Sequence, residues 1–289
     1  MDLSIIIVSW KVKDLLKVNL TSIFQNKPGF EFEVFLVDNN SGDGTVEMVK
    51  DKFREVKLIE NKENLGFAQA NNQAIKKTQG EYILLLNPDM KVLPDTLDNL
   101  IEEAEKYPEA GVMGCHLTDK NGKTVPQVRK FPGFWDQLAI ILKIPHIFPG
   151  VLNKYLVKNF DYTRGAEVDS IRGSFFLIRR EVIEQIGGLD ERFFLWFEEV
   201  DYCRRVREAG WKIVYTPKAR CVDNVGRSFS QVKRGETQKY FRDSMLKYFR
   251  KWKPGWQYYL LKLVWPLGIL ITYIFEKLKI KRGCRKRRA

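Results

Sequence analysis

The chain has 289 residues, of which 44% are hydrophobic, so it is long enough and apolar enough to bury a large α/β core. Its net charge of +13 suits a nucleic acid, an anionic membrane or a phosphorylated substrate as the partner. The four cysteines form no C-x-x-C pair and only two histidines are present, which argues against a structural zinc site and favours a reduced, cytosolic compartment.

The N-terminal third alternates short apolar runs with segments of helical spacing. Strands are predicted at the apolar or β-branched runs, which are residues 3–8, 33–37, 56–59 and 82–86. Helices are predicted at residues 13–24, 45–53, 68–77 and 94–106. This alternation predicts parallel strands, so ligands should bind at the carboxyl ends of the strands. No basic region precedes the first apolar run, which argues against a secretory signal.

Asp38 follows a buried run and precedes a turn-rich segment, residues 39–45, that leads into the next helix. A carboxylate at the carboxyl end of a strand can accept a hydrogen bond from a nucleotide base or a sugar hydroxyl. The alternative is that these residues only shape the turn, with Asp43 or Ser41 capping the helix. We favour the cap for Asp43 and the ligand contact for Asp38.

Two more polar segments follow strands at the same edge of the sheet. Asn64, Gly66 and Asn71 open a helix with a glycine, which would let a ligand approach the backbone, and a helix cap is the equal alternative. Asn87 and Asp89 come directly after the most apolar strand. Mg²⁺ and Mn²⁺ prefer oxygen ligands and bridge diphosphate oxygens, so Asp89 is predicted to hold such an ion; a proline turn is the alternative.

One dense cluster of acidic residues lies in the second half of the chain. Its predicted elements are a strand at 112–115, an amphipathic excursion at 131–161, a strand from Ser170 through Ile178, and helices at 180–186 and 200–209. Before the last helix, five apolar residues, four of them aromatic, run into Glu198, Glu199 and Asp201. Close carboxylates raise one another's pKa. One of them, beside aromatic surface, is predicted to be a general base, and a solvated helix N-terminus is the alternative.

The C-terminal segment, residues 256–275, is apolar and aromatic. Its uncharged part, 263–275, is shorter than the roughly 20 residues that span hydrocarbon. The tail that follows has eight Lys or Arg and one Glu, about half of the net positive charge. We favour a helix lying in the cytoplasmic membrane interface with the tail on anionic lipid. The alternative is a helix packed on the rest of the chain.

Together these segments resemble the family 2 inverting glycosyltransferases of the GT-A fold, in particular the branch with rhamnosyltransferases and related cell-surface polysaccharide enzymes. The resemblance covers residues 3–251, and its ordered motifs are specific as a set. They are SIIIVSW (4–10), VDNNS (37–41), residues 64–72, NPD (87–89), GGLDERFF (187–194) and the acidic cluster at 198–205.

The resemblance implies a Rossmann-like mixed sheet flanked by helices, with C-terminal membrane-associated helices. The expected catalytic domain is 1–230, with a nucleotide-sugar half at 1–115 and an acceptor half at 116–230, followed by a membrane-association segment at 231–289. The implied donor is dTDP-rhamnose or a UDP-hexose. The implied acceptor is a lipid-linked glycan or a polysaccharide, reached from the cytoplasmic face of the membrane.

Carried over by position, the resemblance also assigns roles to single residues. Asp38 reads the nucleotide base, Asp89 is the last acid of the D-x-D element that holds Mn²⁺ or Mg²⁺, and Glu199, beside Glu198, is the general base. The other implied donor contacts are Val8, Ser9, Trp10, Asn40, Asn64, Gly66, Asn71 and Asn87. The implied acceptor contacts are Gly173, Trp196, Phe197 and Asp201.

Three positions depart from the family pattern. Lys11 stands where the first motif usually has Asn, and its charge is expected either on the donor diphosphate or in solvent. Glu199 replaces the commoner Asp and lengthens the base by one methylene. Asp223 stands where relatives usually have a metal-binding His; since a carboxylate also suits Mg²⁺ or Mn²⁺, Asp223 is the expected second metal ligand.

Two other functions are less favoured. A nucleotidyltransferase would be expected to carry a G-x-x-x-x-G-K-S/T loop or a G-x-G-x-x-R type signature, and neither is present. A non-catalytic nucleic-acid-binding protein would use a basic face interleaved with aromatic residues. Here the positive charge is concentrated next to a hydrophobic segment, so we predict no nucleic-acid partner.

Overall fold

The computed structural model describes residues 1–224 and 234–286, with the side chains of the last helix described as far as Tyr273. The strands of this part are β1 (Leu3–Ser9), β2 (Phe32–Asp38), β3 (Lys57–Glu60), β4 (Tyr82–Leu86), β5 (Met90–Val92), β6 (Ala110–Thr118), β7 (Ala166–Glu167), β8 (Phe175–Arg179) and β9 (Lys212–Asp223). Its helices are α1 (Lys13–Gln25), α2 (Thr45–Lys52), α3 (Gly66–Ile75), α4 (Thr96–Lys106), α5 (Phe134–Ile141), α6 (Arg180–Ile186), α7 (Glu198–Glu208), α8 (Arg234–Trp252) and α9 (Gly255–Lys286). The side chains of the basic tail, expected on anionic lipid, lie outside the described residues.

The strands form one mixed sheet in the order β3-β2-β1-β4-β8-β6-β9-β5, with β7 paired to β9. The first four strands in this order are parallel, as the alternation predicts. Strand β8 then runs antiparallel to both β4 and β6, and β5 runs antiparallel to β9. The sheet is therefore mixed, as the resemblance implies, and its second half carries the reversals.

Alternating side chains of β1 explain why helices cover both faces of the sheet. Ile5 and Ile7 pack with Leu20 of α1, whereas Ile6 packs on the other face with Ala74 of α3. Successive side chains of a strand point to opposite faces, so an unbroken apolar strand needs an apolar cover on each side. Because β1 is parallel to β2 and β4, the carboxyl ends of these three strands meet at one edge.

Several predicted boundaries are shifted, and four elements were not predicted. The strand predicted from Ser170 begins at Phe175 and ends at Arg179, and α7 begins at Glu198, two residues before the prediction. Strands β5, β7 and β9 and helix α8 are additional. In β9 the pairing with β6 jumps from Gly114 opposite Tyr215 to His116 opposite Arg220. This bulge, which contains Pro217, breaks the alternation by which strands are predicted.

Helix α9 packs against α5 and α8, the arrangement that the sequence left as the alternative. Leu261 is fully buried in a cluster with Phe134 and Tyr248. At Gly268, α9 approaches α5 so closely that an added Cβ would lie 2.7 Å from the Ile141 carbonyl oxygen. Within the described ranges, no helix is both long enough and apolar enough to cross a membrane.

Candidate functional site

A cavity of about 400 Å³ lies at the carboxyl ends of β1, β2 and β4. Because the parallel register aligns Ser9 with Asp38 and Ile7 with Leu86, residues that follow these strands meet at this edge. Five of the predicted donor contacts line it together, namely Val8, Trp10, Asn64, Gly66 and Asn87. Phe194 and Tyr240, whose rings stack at 4.6 Å, form another wall. We call this space the donor cavity.

Asp38 and Asn40 line a neighbouring hollow of about 790 Å³ between α1 and α2. Asp38 is buried, and its two oxygens accept hydrogen bonds from Ser41: 2.5 Å from the hydroxyl and 3.0 Å from the backbone N–H. The carboxylate thus shapes the turn in this structure, and its contact with a nucleotide base stays a prediction. Asp43 accepts from Thr45 N–H at 3.1 Å, but the N-cap position of α2 is Gly44, so the predicted N-cap at Asp43 is wrong by one residue.

The first residues of the chain after β1 connect the hollow to the donor cavity. The backbone N–H of Lys11 donates to Ser41 Oγ at 3.0 Å, and the Lys11 ammonium lies 5.1 Å from the centre of the Trp10 ring. Ser9 is buried; its carbonyl accepts from Asn39 N–H, and its hydroxyl has no hydrogen-bond partner among the described residues. The charge of Lys11 therefore lies against Trp10, a residue that lines the donor cavity.

Gly66 is required by protein packing. Its φ is +81°, and an added Cβ would collide with the carbonyl oxygen of Phe194. The neighbouring Phe67 N–H donates to the same oxygen at 2.8 Å. This bond fixes the start of α3 on residues 193–197, which we call the aromatic segment. Asn64, one residue before the N-cap Leu65, accepts from Gly66 N–H at 3.0 Å, whereas Asn71 donates to the Phe67 carbonyl at 2.8 Å. The close approach predicted for a ligand is thus made by Phe194.

Asp89 and Asp223 lie together at the pairing of β5 with β9. Met90 stands opposite Asp223, and Asn224 donates to the Asp89 carbonyl from its side chain at 3.0 Å. Both aspartates are buried. Burial raises the pKa of Asp223, the Arg172 guanidinium at 3.3 Å lowers it, and the charge of Asp89 raises it. This pair of hard oxygen donors fits a divalent Mg²⁺ or Mn²⁺ ion, whose charge would offset the repulsion between them.

The protein's contribution to such a metal site is small. In the described part of the chain, no three or more His, Cys, Asp or Glu side chains form a group that could hold a metal ion. An ion held by Asp89 and Asp223 would therefore take its remaining ligands from water or from a bound diphosphate.

A strained turn presents the two glutamates at the start of α7. Trp196 and Phe197 have φ values of +64° and +68°, a conformation that costs residues with a Cβ about 1–2 kcal/mol each. Packing holds the turn in place. Phe197 is buried against Phe241 and Tyr248, and Ser244 of α8 donates to the Leu195 carbonyl at 2.8 Å. Glu198 and Glu199 follow directly as the first residues of α7.

The two glutamates are perturbed in the way expected of an acid–base pair. Burial, and then the charge of Glu199, raise the pKa of Glu198 well above its usual range. Burial also raises the pKa of Glu199, while the positive charges of Arg129 and Arg172 oppose that rise. The Oε2 atoms of both residues are buried without a hydrogen-bond partner among the described residues. The pair therefore keeps a proton at pH values at which an exposed glutamate is ionised.

The predicted acceptor residues fall into two groups. Gly173 lies against Glu199, because an added Cβ would be 3.3 Å from the Glu199 Cβ. Trp196 and Phe197 form the turn before the glutamates. Asp201 is fully buried, and its oxygens bind Arg205 at 3.1 Å, Lys251 at 2.7 Å and the Trp252 indole N–H at 2.7 Å. These contacts join α7 to α8, so the geometry favours a structural role for Asp201.

Sequence reasoning missed the two arginines that act on Glu199. Arg172 directly precedes Gly173, and this position beside a predicted acceptor residue was the available signal. Arg129 lies in a connection without a motif or periodicity, and its neighbour Tyr155 is distant in sequence. The carboxylate–guanidinium grouping is thus a product of the tertiary fold.

The chain matches the family model described as Glycosyl transferase family 2 over residues 4–187. It is 31% identical over 206 residues to the N-acetylglucosaminyl-diphospho-decaprenol L-rhamnosyltransferase of Mycobacterium tuberculosis, an alignment that covers 64% of each chain. The matched region therefore spans less than two thirds of that relative's length.

Two solved structures are similar in fold. One is the mannosyltransferase PcManGT of Pyrobaculum calidifontis in complex with GDP-Man and Mn²⁺, with a TM-score of 0.59 and 19% identity, covering 94% of this chain and 73% of the other. The second is S. aureus TarS 1-349 in complex with UDP-GlcNAc, with a TM-score of 0.56 and 17% identity, covering 86% of this chain and 67% of the other.

Proposed function

The chain belongs to glycosyl transferase family 2, and from this premise we propose that it transfers a sugar from a nucleotide sugar to a lipid-linked glycan with inversion at the anomeric carbon. One observation carries the proposal. The segment 193–197 borders the donor cavity through Phe194 and Leu195, and it leads directly into Glu198 and Glu199. One segment therefore connects the donor cavity to a carboxylate pair whose Oε2 atoms are buried.

In the proposed step, Glu199 accepts the proton of an acceptor hydroxyl. The hydroxyl oxygen forms a bond to the anomeric carbon while the bond from that carbon to the diphosphate oxygen breaks. The electron pair of the broken bond leaves with the nucleoside diphosphate. The raised pKa of Glu199 suits this role, since a general base works best when its pKa is near the working pH. Attack opposite the leaving group inverts the configuration and needs no covalent sugar intermediate.

Asp89 and Asp223 are the residues that would hold Mn²⁺ or Mg²⁺. When bound, such an ion supplies positive charge to the departing diphosphate. The similar mannosyltransferase structure contains Mn²⁺ with its nucleotide sugar, which supports an ion of this class. Lys11, beside Trp10, adds a further positive charge at the edge of the donor cavity.

The name of the relative supports our choice of donor and acceptor. That protein is an L-rhamnosyltransferase named for an N-acetylglucosaminyl-diphospho-decaprenol acceptor. By analogy, dTDP-rhamnose is the first donor that we propose here, with UDP-hexoses next, and the acceptor is a glycan on a polyprenyl diphosphate.

Such an acceptor places the enzyme at the cytoplasmic face of a membrane, and exposed apolar side chains support that location. Phe134 of α5 contacts Trp256 of α9, with 5.0 Å between ring centres, so the two helices present neighbouring surfaces. We define an apolar face by Trp135 of α5, Phe148 of the connection after α5, and Tyr259, Leu263 and Leu267 of α9. Their exposure ranges from 49% for Leu267 to 75% for Trp135 and Leu263. An apolar surface of this kind favours burial in lipid.

A thermal-shift panel tests the proposed function. The full chain is heated with nucleoside diphosphates and nucleotide sugars, with and without Mn²⁺. We expect one base class to raise the unfolding temperature, and the rise to need the ion. In Asp89→Ala the Mn²⁺-dependent part of the rise should disappear. Absence of a shift with every nucleotide in the wild-type chain would contradict the proposal.

A further inference from the structure

A second cavity, of about 260 Å³, lies between α5, α8 and α9. Most of its lining is apolar and includes Ile140, Ile141, Trp196, Phe241, Trp265 and Ile269. Trp196 is the next residue after Phe194 and Leu195, which line the donor cavity. Consecutive residues of one segment therefore border both spaces, and the two glutamates follow that segment.

Groups suited to each part of a lipid-linked sugar lie near this cavity. Glu199 is the proposed base for the sugar hydroxyl. It interacts electrostatically with the positive charges of Arg129 and Arg172. Arg129 also binds Tyr155, which packs on Ala139 of α5. The next residues of α5, Ile140 and Ile141, line the cavity. Contacts thus connect the carboxylate to a guanidinium, and that guanidinium through Tyr155 to the helix that lines the apolar cavity. An acceptor sugar, a diphosphate and an isoprenoid chain need these three surroundings.

Resting on the proposed glycosyl transfer, we propose that this cavity binds the first isoprene units of a polyprenyl diphosphate acceptor. A cavity of about 150 Å³ lined by aliphatic and aromatic side chains takes a six-carbon ring, so this one has room for roughly ten carbons, or about two isoprene units. Ile269 lines the cavity and is 48% exposed. The cavity thus reaches the protein surface at Ile269, where the rest of a polyprenyl chain can leave the protein.

Two tryptophan substitutions on α9 provide a matched test. Ile269→Trp adds a large ring to the cavity wall. Leu270→Trp adds the same ring at the next position, which is 53% exposed and does not line the cavity. The probe is farnesyl diphosphate, a soluble isoprenoid diphosphate, titrated into the full chain by calorimetry without vesicles. We expect Ile269→Trp to weaken binding tenfold or more and Leu270→Trp to change it less than twofold.

A second cavity variant and a second lipid probe complete the test. Thr237→Phe enters the cavity from α8 and replaces Ile269→Trp if that variant does not fold. No binding of farnesyl diphosphate to the wild-type chain, or equal binding by cavity and control variants, overturns the proposal. Tighter binding of hexadecyl phosphate would assign the cavity to an ordinary membrane lipid and also overturn it. The nucleotide panel is independent: a chain that binds a nucleotide sugar but not farnesyl diphosphate keeps the proposed function and loses the cavity assignment.

Discussion

At the residue scale, Glu199 and its amide differ in charge and proton affinity but hardly in shape. Glu199→Gln therefore keeps the contact with Gly173 and removes the base. We expect kcat to fall by about 10²–10⁴-fold, the usual contribution of a general base, with donor affinity unchanged. The measurements are the initial rate of nucleoside diphosphate release at saturating donor and a donor titration.

Glu198→Gln is the matched control for this prediction. Glu198 is the more strongly protonated of the pair, because both burial and the charge of Glu199 raise its pKa. Its amide imitates the protonated form, so kcat should fall much less. Wild-type turnover in Glu199→Gln together with a large loss in Glu198→Gln would reverse the two roles.

Arg129 provides a second prediction at this scale, on pH dependence. Glu199 must be ionised to accept a proton, so kcat falls as the pH drops through its raised pKa. The charge of Arg129 lowers that pKa, and Arg129→Gln should raise it further. The acid limb of the kcat profile should therefore move to higher pH. Arg164→Gln, at an exposed arginine paired with Asp161, is the control; an unmoved limb in Arg129→Gln contradicts the assignment.

Some residues of the candidate site could be predicted from the sequence, and others could not. Glu199 is of the first kind, and the arginines that act on it are of the second. The acidic cluster and Asp89 stand beside apolar runs, so their sequence neighbours point to them. Arg129 and Arg172 reach Glu199 only because the strands and connections of the second half bring them there. Asp38 was found by its position after β2, but its hydrogen bonds to Ser41 depend on a turn geometry that the pattern does not specify.

At the element scale, the junction between α3 and the aromatic segment depends on Gly66. Gly42 has a similar positive φ, +63°, but an added Cβ there meets nothing within 4 Å. Gly42→Ala should thus lower the free energy of unfolding by about 1–2 kcal/mol from backbone strain alone. Gly66→Ala adds a collision with the Phe194 carbonyl and should cost about 1–3 kcal/mol more.

Urea unfolding of the two variants measures this difference. The donor cavity includes both Gly66 and Phe194, so a displaced segment should also weaken nucleotide binding in Gly66→Ala. Equal destabilisation by the two substitutions would show that Phe194 does not constrain the start of α3.

The elements themselves were predictable to different degrees for physical reasons. Strands β1, β2 and β4 are buried on both faces, and their unbroken apolar runs identify them. Strand β9 contains a bulge with Pro217, and α8 mixes apolar with many charged residues, so neither has a clear period. Helix α7 starts two residues early because the turn at Trp196 and Phe197 is set by packing against α8.

At the scale of the whole molecule, the mixed sheet followed from the resemblance and its parallel half from alternation alone. The packing of α9 could not be predicted, because its apolar residues suit a protein surface and a lipid surface equally. The structure combines the two: Leu261 is buried in the protein, whereas Leu263 is 75% exposed. Deleting the segment from Trp256 onwards would therefore uncover the cluster around Tyr248, and surface substitutions are the better test of membrane binding.

The double variant Leu263→Gln, Leu267→Gln removes two aliphatic side chains from the apolar face without changing the net charge. If this face enters lipid, binding to vesicles of phosphatidylglycerol and phosphatidylethanolamine should weaken about tenfold or more, since each buried leucine contributes about 1.5–3 kcal/mol. The loss should persist at high salt, which screens the contribution of the basic tail. Val18→Gln, at a 48% exposed aliphatic residue on α1, is the control and should sediment with vesicles as the wild type does. Unchanged sedimentation of the double variant would instead assign membrane binding to the basic residues, because the apolar contribution is the one that this substitution removes.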